Sequence, residues 1–200
     1  MITAIITGDI INSRKAESTE WLPALKGALN QYGSTPKVWE IYRGDSFQLE
    51  VSAEKALYAA LYLKACMRQY KNLDARIGIG LGEKTHSAGR ITESNGSAFR
   101  HSGECFDSLK KNTLAIKSEW PELDQEVNGY LSLALLTIER WASNASTIIK
   151  TAMENPQLTQ TELAKKLGKS QSTISESLTR AGYDEIMQME KQYRNLISHR

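Results

Sequence analysis

The chain has little of several features that would place it in a special class of protein. Its 200 residues include only two cysteines, Cys66 and Cys105, which lie far apart, and Cys66 falls in a helical pattern. This favours reduced thiols over a disulfide and therefore predicts a cytoplasmic protein. The formal net charge is only +2, so the composition does not indicate a long basic face for nucleic acid.

Long apolar runs are also missing. The longest apolar stretch, 131–138, contains Ser132 and Thr137 and is too short to cross a bilayer, so we expect no membrane partner. The first residues are apolar only briefly and carry no basic leader, so we expect no signal peptide. What remains is the composition of an ordinary globular protein, with room for one large domain or two small ones.

Two Gly-Asp pairs are the most informative feature of what is present. Gly8-Asp9 ends an apolar run that is typical of a buried strand. Gly44-Asp45 lies inside the alternating segment 38–51, which predicts a hairpin with the aspartate on its turn. A carboxylate at a strand end and another on a neighbouring hairpin suit Mg²⁺ or Mn²⁺, and such ions bind nucleotide phosphates.

The same residues have a plainer interpretation. Asp9 would then cap the following turn, and Asp45 would be an ordinary hairpin residue, since Asp and Gly are the usual choice there. Two interpretations also apply to Arg14 and Arg43, which could bind phosphate or could be ordinary exposed charges. The sequence leaves both interpretations standing.

The order of segments predicts an α+β fold for residues 1–118. Strands and helices alternate as β-α-β-β-α-β, followed by a helix and a last strand, and the first six are typical of the ferredoxin-like arrangement. Ser52 is expected to cap the second helix. In Ala75–Gly82 the glycines share one face, so we expect another backbone or a ligand to come close there.

The character of the chain changes near residue 121. Apolar residues at helical spacing from Leu123 to Trp141 predict one long amphipathic helix, with Pro121 in its first turn. We therefore divide the chain into an α+β domain (1–118), a connecting helix (119–144) and a helical domain (145–200). The connecting helix is expected to couple the two domains or to form the seam of a homodimer.

The segment 158–181 carries the features of a helix-turn-helix. Thr159 and Glu162 predict a capping box, Gly168 permits the turn, and Ser170 caps a second helix. Polar side chains at the start of that helix suit base edges in a major groove, and cations suit phosphates. The predicted DNA contacts are Lys165, Lys166, Lys169, Ser170, Gln171, Ser172, Thr173, Ser175 and Arg180.

The alternative for this segment is a helical pair used only for packing or dimerisation. Arg180 is the one cation on the second helix, and Glu176 would repel phosphate. A packing role predicts no DNA affinity. The caps, the small Ala164 where the two helices cross and the turn at Gly168 agree with one another and favour DNA binding.

The ordered set of motifs resembles known families. Asp9-Ile10, the Gly44-Asp45 hairpin and Arg76–Gly82 occur in the order seen in class III nucleotidyl cyclase domains, which are ferredoxin-like. The whole chain, with Gly-Asp-Ile-Ile-Asn-Ser-Arg from Gly8 and the segment 94–99, looks like the bacterial SatD family. The segment 158–178 resembles the helix-turn-helix of bacterial regulators.

The cyclase resemblance implies a set of site residues. Asp9 and Asp45 would be the metal ligands, with the Ile10 carbonyl assisting, and residues 10–14 would face the phosphates. Nucleotide or phosphate contacts would come from Asn12, Ser13, Arg14, Arg43 and Arg100. The chain departs from active cyclases at Ile41, where they carry a base-selecting Lys or Glu, and at Arg100, which follows Asn95 by five residues instead of four.

The leading hypothesis is a DNA-binding regulator whose cyclase-like domain senses a nucleotide or similar phosphorylated ligand with Mg²⁺ or Mn²⁺. The departures at the base-selecting and catalytic positions favour a sensor over an enzyme. Two alternatives stay open: an active metal-dependent nucleotidyl cyclase or nucleotidyltransferase, and a scaffold or dimerisation protein without catalysis.

Overall fold

The structure is a computed structural model that describes residues 2–198 and 200. Its strands are β1 (Thr3–Ile11), β2 (Trp39–Tyr42), β3 (Ser46–Ser52), β4 (Asp74–Gly82) and β5 (Leu114–Lys117). Its helices are α1 (Ser18–Asn30), α2 (Ala56–Arg68), α3 (Ser97–Ser108), α4 (Pro121–Ile138), α5 (Ser143–Glu154), α6 (Gln160–Leu167), α7 (Gln171–Arg180) and α8 (Tyr183–Ser198). Short 3₁₀ turns cover Ser13–Lys15, Ala53–Lys55 and Ile91–Glu93.

The strands form one mixed sheet in the order β2-β3-β1-β4-β5. Every neighbouring pair is antiparallel except β4 and β5, which run parallel. β1 lies in the middle, so residues 3–9 have a strand neighbour on both sides, whereas Ile10 and Ile11 pair only with β4. Asp9 is opposite Ser46 on β3 and opposite Arg76 on β4.

The two faces of the sheet are covered by different helices. The apolar residues of β4 lie in the core with α1 and α2, whereas its glycines lie under α3. At Gly80 an added Cβ would lie 2.1 Å from the backbone nitrogen of Ser102 on α3. The glycine face therefore admits a helix backbone, one of the two outcomes that the alternation predicted.

α2 joins the two halves of the molecule. Nearly every residue of this helix is buried, because the sheet and α1 lie on one side and α5 packs against it from another. The hydroxyl of Tyr58 donates to the Met153 carbonyl at 2.5 Å, and the hydroxyl of Tyr193 donates to the Ala53 carbonyl at 2.7 Å. The hydrophobic core is continuous from the sheet to α8, and the boundaries after residues 118 and 144 remain predictions.

Several predicted boundaries differ from the structure. β1 continues to Ile11 because β4 pairs with it as far as Asp74, so Asp9 lies within the strand and not at its end. Ser52 ends β3 and its side chain makes no cap hydrogen bond, so the predicted cap was wrong and a 3₁₀ turn leads into α2 instead. The connecting helix ends at Ile138, and α5 begins at Ser143. Within the described residues, no helix has the length and apolar character needed to cross a membrane.

Candidate nucleic-acid interface and carboxylate site

The start of α6 is fixed by its own side chains. The Glu162 amide donates to the Thr159 hydroxyl at 3.3 Å, and the Thr159 amide donates to the Glu162 carboxylate at 2.8 Å. Both halves of the predicted capping box are therefore present. Because two otherwise unpaired amides are satisfied in this way, a helix of only eight residues has a defined beginning.

The turn from α6 to α7 is equally local. Gly168 adopts a left-handed conformation with φ of 62°, and the Lys169 amide donates to the Ala164 carbonyl at 2.9 Å. The Thr173 amide then donates to the Ser170 hydroxyl at 3.1 Å. The predicted turn glycine and the predicted N-cap are both confirmed, and together they set the direction of α7.

Packing decides which face of α7 is outside. Ile174 and Leu178 are buried, as are Leu163 and Ala164 on α6. The opposite side bears polar groups, with Gln171 and Ser172 exposed and Thr173 and Ser175 half-buried. The side-chain amide of Gln171 donates to the side-chain oxygen of Gln160 at 3.0 Å, and this bond links the starts of the two helices.

Three lysines lie close to the turn between α6 and α7 in the sequence. Lys165 and Lys166 are exposed in the last turn of α6, and Lys169 is half-buried just before α7. The amino end of α7 adds a partial positive charge from its unpaired amides. At the other end of α7, Arg180 forms an exposed ion pair with Glu176 at 3.5 Å. Favourable conditions for phosphate therefore lie at the beginning of α7.

In the sheet, Asp9 already has a cation beside it. Arg76 on β4 donates to the Asp9 carboxylate from Nε at 3.1 Å and from Nη2 at 2.6 Å, a two-point contact. The guanidinium also lies over the Phe106 ring of α3, 4.8 Å from its centre. The bond to Asp9 raises the pKa of Arg76 and so favours the charged guanidinium.

Asp45 holds the loop that follows β1. The Ile10 amide donates to the Asp45 carbonyl at 3.2 Å, so the two chain segments are neighbours. The Ser13 hydroxyl donates to the Asp45 carboxylate at 2.5 Å. Asn12 has φ of 61° and donates from its side chain to the Asn72 carbonyl at 2.9 Å. The structure thus joins Asp45 and Ser13 directly, beside Asp9 on β1.

The predicted phosphate ligands are not all brought to this place. Arg14 is exposed in the 3₁₀ turn after Asn12, and Arg43 occupies the hairpin turn with φ of 54°. Arg100 approaches Glu104 at 3.8 Å in the first half of α3, whereas the contact of α3 with the aspartate region comes from Phe106 near its other end. The structure does not place Arg100 beside the two aspartates.

A preformed metal cage is not present in the described part of the chain, where no group of three or more His, Cys, Asp or Glu comes together. Mg²⁺ usually takes one or two carboxylates and completes its coordination with water and phosphate oxygens. Asp9 and Asp45 supply two carboxylates on neighbouring segments, the number that such an ion takes. A metal ion at Asp9 would have to displace Arg76, because a guanidinium and a metal ion compete for the same oxygens.

Arg76 is the residue of this region that sequence reasoning did not assign. Its signal was the alternation of β4, since Arg76 occupies the same face as Gly78 and Gly80. The partner is 67 residues away in sequence, so only the register of β1 against β4 identifies it.

A buried polar cluster beneath the loop after β1 was also missed. Lys64 is fully buried on α2 and donates to Asp74, to the Ala75 carbonyl and to Thr113, each at 2.9 Å. Burial lowers the pKa of Lys64, and the nearby Asp74 carboxylate opposes that shift. Arg68 donates to the other Asp74 oxygen at 2.8 Å. A lysine inside an apolar helical pattern gave no sign of this role.

Comparison with known proteins agrees with the C-terminal geometry. Residues 146–181 match the family described as winged helix-turn-helix DNA-binding. The match includes most of α5 and all of α6 and α7, and these three helices pack on one another. The next residues, Tyr183–Ser198, form a helix and not a pair of strands. The comparison with curated proteins finds no match to the chain.

Proposed function

We propose that the protein is a DNA-binding regulator whose N-terminal part senses a nucleotide or a similar phosphorylated ligand. The observation that carries the proposal is the beginning of α7, where Gln171 and Ser172 are exposed beside Lys165 and Lys166 of α6. This surface lies within the segment that matches the winged helix-turn-helix family.

α7 is the recognition helix in this proposal. Its ten residues span about 15 Å, enough for its first half to lie in a major groove. Side chains in that half donate to and accept from base edges, while the lysines at the turn contact phosphates and fix the register. Ser170 has a structural part as the cap, and Arg180 meets phosphate only after leaving Glu176.

The first experiment selects a duplex site from a random library with the full chain and measures affinity by fluorescence anisotropy. We expect Gln171→Ala to weaken binding to the selected site by about 5- to 150-fold and to relax preference at one base pair. Lys166→Ala should weaken binding to all sequences and reduce the salt dependence.

The matched control is Gln125→Ala, the same change at an exposed position of α4. It should leave DNA affinity unchanged. Failure to select any site with folded protein would contradict DNA binding. Equal losses from Gln171→Ala and Gln125→Ala would contradict the assignment of α7.

For residues 1–118 we propose the ferredoxin-like fold of nucleotidyl cyclase domains, and for the whole chain membership of the SatD family. Support comes from the β-α-β-β-α-β order and from the strand order β2-β3-β1-β4. The added α3 and β5 extend that sheet on the β4 side.

The proposed ligand site lies where β1 meets the β2–β3 hairpin. Mg²⁺ or Mn²⁺ would be held by Asp9 and Asp45, and the phosphates would face the loop that contains Asn12 and Ser13. The ion and Arg76 compete for Asp9. Arg76, once displaced, is free to bind a phosphate oxygen, and such charge-assisted bonds are strong.

This competition makes the sensing proposal testable. Calorimetry with Mn²⁺ alone should give tighter binding to Arg76→Gln than to the unmodified protein, because the variant lacks the competing cation. The same variant should bind Mn²⁺-nucleotide more weakly, and Asp45→Asn should lose metal-dependent binding. Arg140→Gln, at an exposed position of the helical half, should leave the affinities for Mn²⁺ and for Mn²⁺-nucleotide unchanged.

Analysis of the nucleotide recovered from those samples separates a sensor from an enzyme. A sensor leaves the nucleotide unchanged, whereas an enzyme converts it to product. If no nucleotide and neither metal alters the thermal stability of the protein, the sensing proposal fails while DNA binding stands. Weaker Mn²⁺ binding by Arg76→Gln would contradict the competition at Asp9.

A further inference from the structure

The outer face of α4 carries the exposed large apolar side chains of the described residues. Leu133 is 69% exposed, Leu136 is 63% exposed and Tyr130 is 40% exposed. On the opposite side of the same helix, Leu131 and Leu135 are buried in the core. α4 is therefore apolar on two sides, and the fold of one chain covers only one of them.

These side chains form a ridge between two grooves. One groove of about 730 Å³ lies between α4 and α8, and its apolar lining includes Ala134, Ile186 and Met189. A second groove of about 380 Å³ lies on the side of α5 and α7. The same surface thus presents projecting leucines and a hollow that accepts side chains of that size.

We propose that this face of α4 and its groove with α8 bind a second copy of the chain. A two-fold interface requires a patch that is complementary to itself, so that a knob and a hole lie side by side. Here Leu133 and Leu136 of one copy enter the α4–α8 groove of the other. This is the ridge-into-groove packing that antiparallel helices use.

The charges around the groove agree with a second copy as the occupant. Arg180 and Glu185 both line it, so the rim carries both signs and a copy turned about a two-fold axis offers each its opposite. A partner of one strong charge would meet a like charge on this rim.

Gly129 adds an independent observation. It is exposed on the outer side of α4, one turn before Leu133, and a Cβ added there meets no atom within 4 Å. Glycine inside a helix destabilises it relative to alanine, and nothing in a single chain requires it at this position. A glycine there leaves room for the backbone of a partner helix to approach closely.

The position of the groove relates the dimer to DNA. Thr179 and Arg180 at the end of α7 form part of its wall, so a dimer joined here places the beginnings of its two α7 helices away from the axis. Dimeric helix-turn-helix proteins read two half-sites about 34–36 Å apart. This use of the dimer rests on the proposed function, but its existence does not.

The test is sedimentation velocity of the full chain without DNA, over about a hundredfold range of concentration. We expect the unmodified protein to form a dimer and the double variant Leu133→Glu, Leu136→Glu to be monomeric over that range. The matched control is Thr19→Glu, Asn30→Glu, which adds the same charge at exposed positions of α1 that line neither groove. Both variants should keep the circular dichroism spectrum of the unmodified protein.

Two results would overturn the inference: an unmodified protein that stays monomeric throughout, or a leucine double variant that still dimerises like the control. A dimer that selects no DNA site would keep this inference and remove the proposed function. A monomer that binds a single unpaired site would do the reverse.

Discussion

At the scale of single residues, Glu190 on α8 is a carboxylate whose burial costs stability, because only one of its two oxygens has a hydrogen-bond partner. Its side chain is 3% exposed, and one oxygen accepts from Arg194 at 3.0 Å. The other oxygen is buried without a hydrogen-bond partner. Burial raises the pKa of Glu190, and the Arg194 charge opposes that shift.

The change Glu190→Gln should stabilise the protein at neutral pH. Because the pKa of Glu190 is higher in the folded state, its contribution to stability is fully present below the unfolded pKa of about 4.3 and is lost as pH rises through the folded pKa. A neutral side chain of the same shape avoids that loss. We expect about 1 kcal/mol more stability at pH 7 and no difference near pH 4, measured by urea unfolding.

The control for this experiment is Glu20→Gln, an exposed glutamate on α1. It should give a small difference that does not grow between pH 4 and pH 7. Lower stability of Glu190→Gln at pH 7 would mean that the bond to Arg194 outweighs the cost of burying the charge.

At the scale of elements, the contact between β4 and α3 depends on residues without side chains. An added Cβ at Gly80 would lie 2.1 Å from the Ser102 nitrogen and 2.2 Å from the Ala98 carbonyl. Both atoms belong to helix backbone and cannot move independently. At Gly103, inside α3 itself, an added Cβ meets no atom within 4 Å.

This difference predicts opposite effects for one and the same substitution. Gly80→Ala should destabilise the protein by at least about 2 kcal/mol, since α3 must shift away from the sheet. Gly103→Ala should stabilise it by about 0.5–1 kcal/mol, because alanine costs less backbone entropy in a helix. Urea unfolding of the two variants measures both values. A loss at Gly103 as large as that at Gly80 would contradict the packing described for this helix.

The elements also differ in how far the sequence could predict them. The starts of the two helices in the helix-turn-helix are set by contacts within a few residues, such as Thr159 with Glu162, and these were predicted correctly. The contact of Arg76 with Asp9 spans 67 residues and depends on strand register, so it was not predicted. The extension of β1 past Asp9 was missed for the same reason, because the pairing strand decides where β1 ends.

At the scale of the whole molecule, a series of hydrogen bonds joins the loop after β1 to the end of α7. Asn12 donates to the carbonyl of Asn72, two residues before Asp74, and Asp74 accepts from Arg68. Arg68 donates to the Trp141 carbonyl at 3.2 Å, and the Trp141 indole donates to the Ala181 carbonyl at 3.0 Å. Ala181 directly follows α7. The proposed ligand site and the proposed DNA-reading helix thus share a continuous set of contacts.

Arg68 is the member of this series that links the two halves, so we expect Arg68→Met to uncouple them. The variant keeps an apolar stem and removes the bonds to Asp74 and Trp141, while Lys64 still neutralises Asp74. The stability loss should be about 1–3 kcal/mol. DNA affinity, measured by anisotropy with and without Mn²⁺-nucleotide, should respond to the ligand in the unmodified protein, typically by about 5- to 150-fold.

In Arg68→Met both binding reactions should persist separately, with the response of DNA affinity to the ligand reduced toward zero. Arg140→Met, at an exposed position near the same helix end, should leave the response intact. An unchanged response in Arg68→Met would mean that coupling runs through the direct contacts of α2 with α5, which include the hydrogen bonds of Tyr58 and Tyr62. This variant therefore distinguishes a route through Arg68 from one through the direct contacts of α2 with α5.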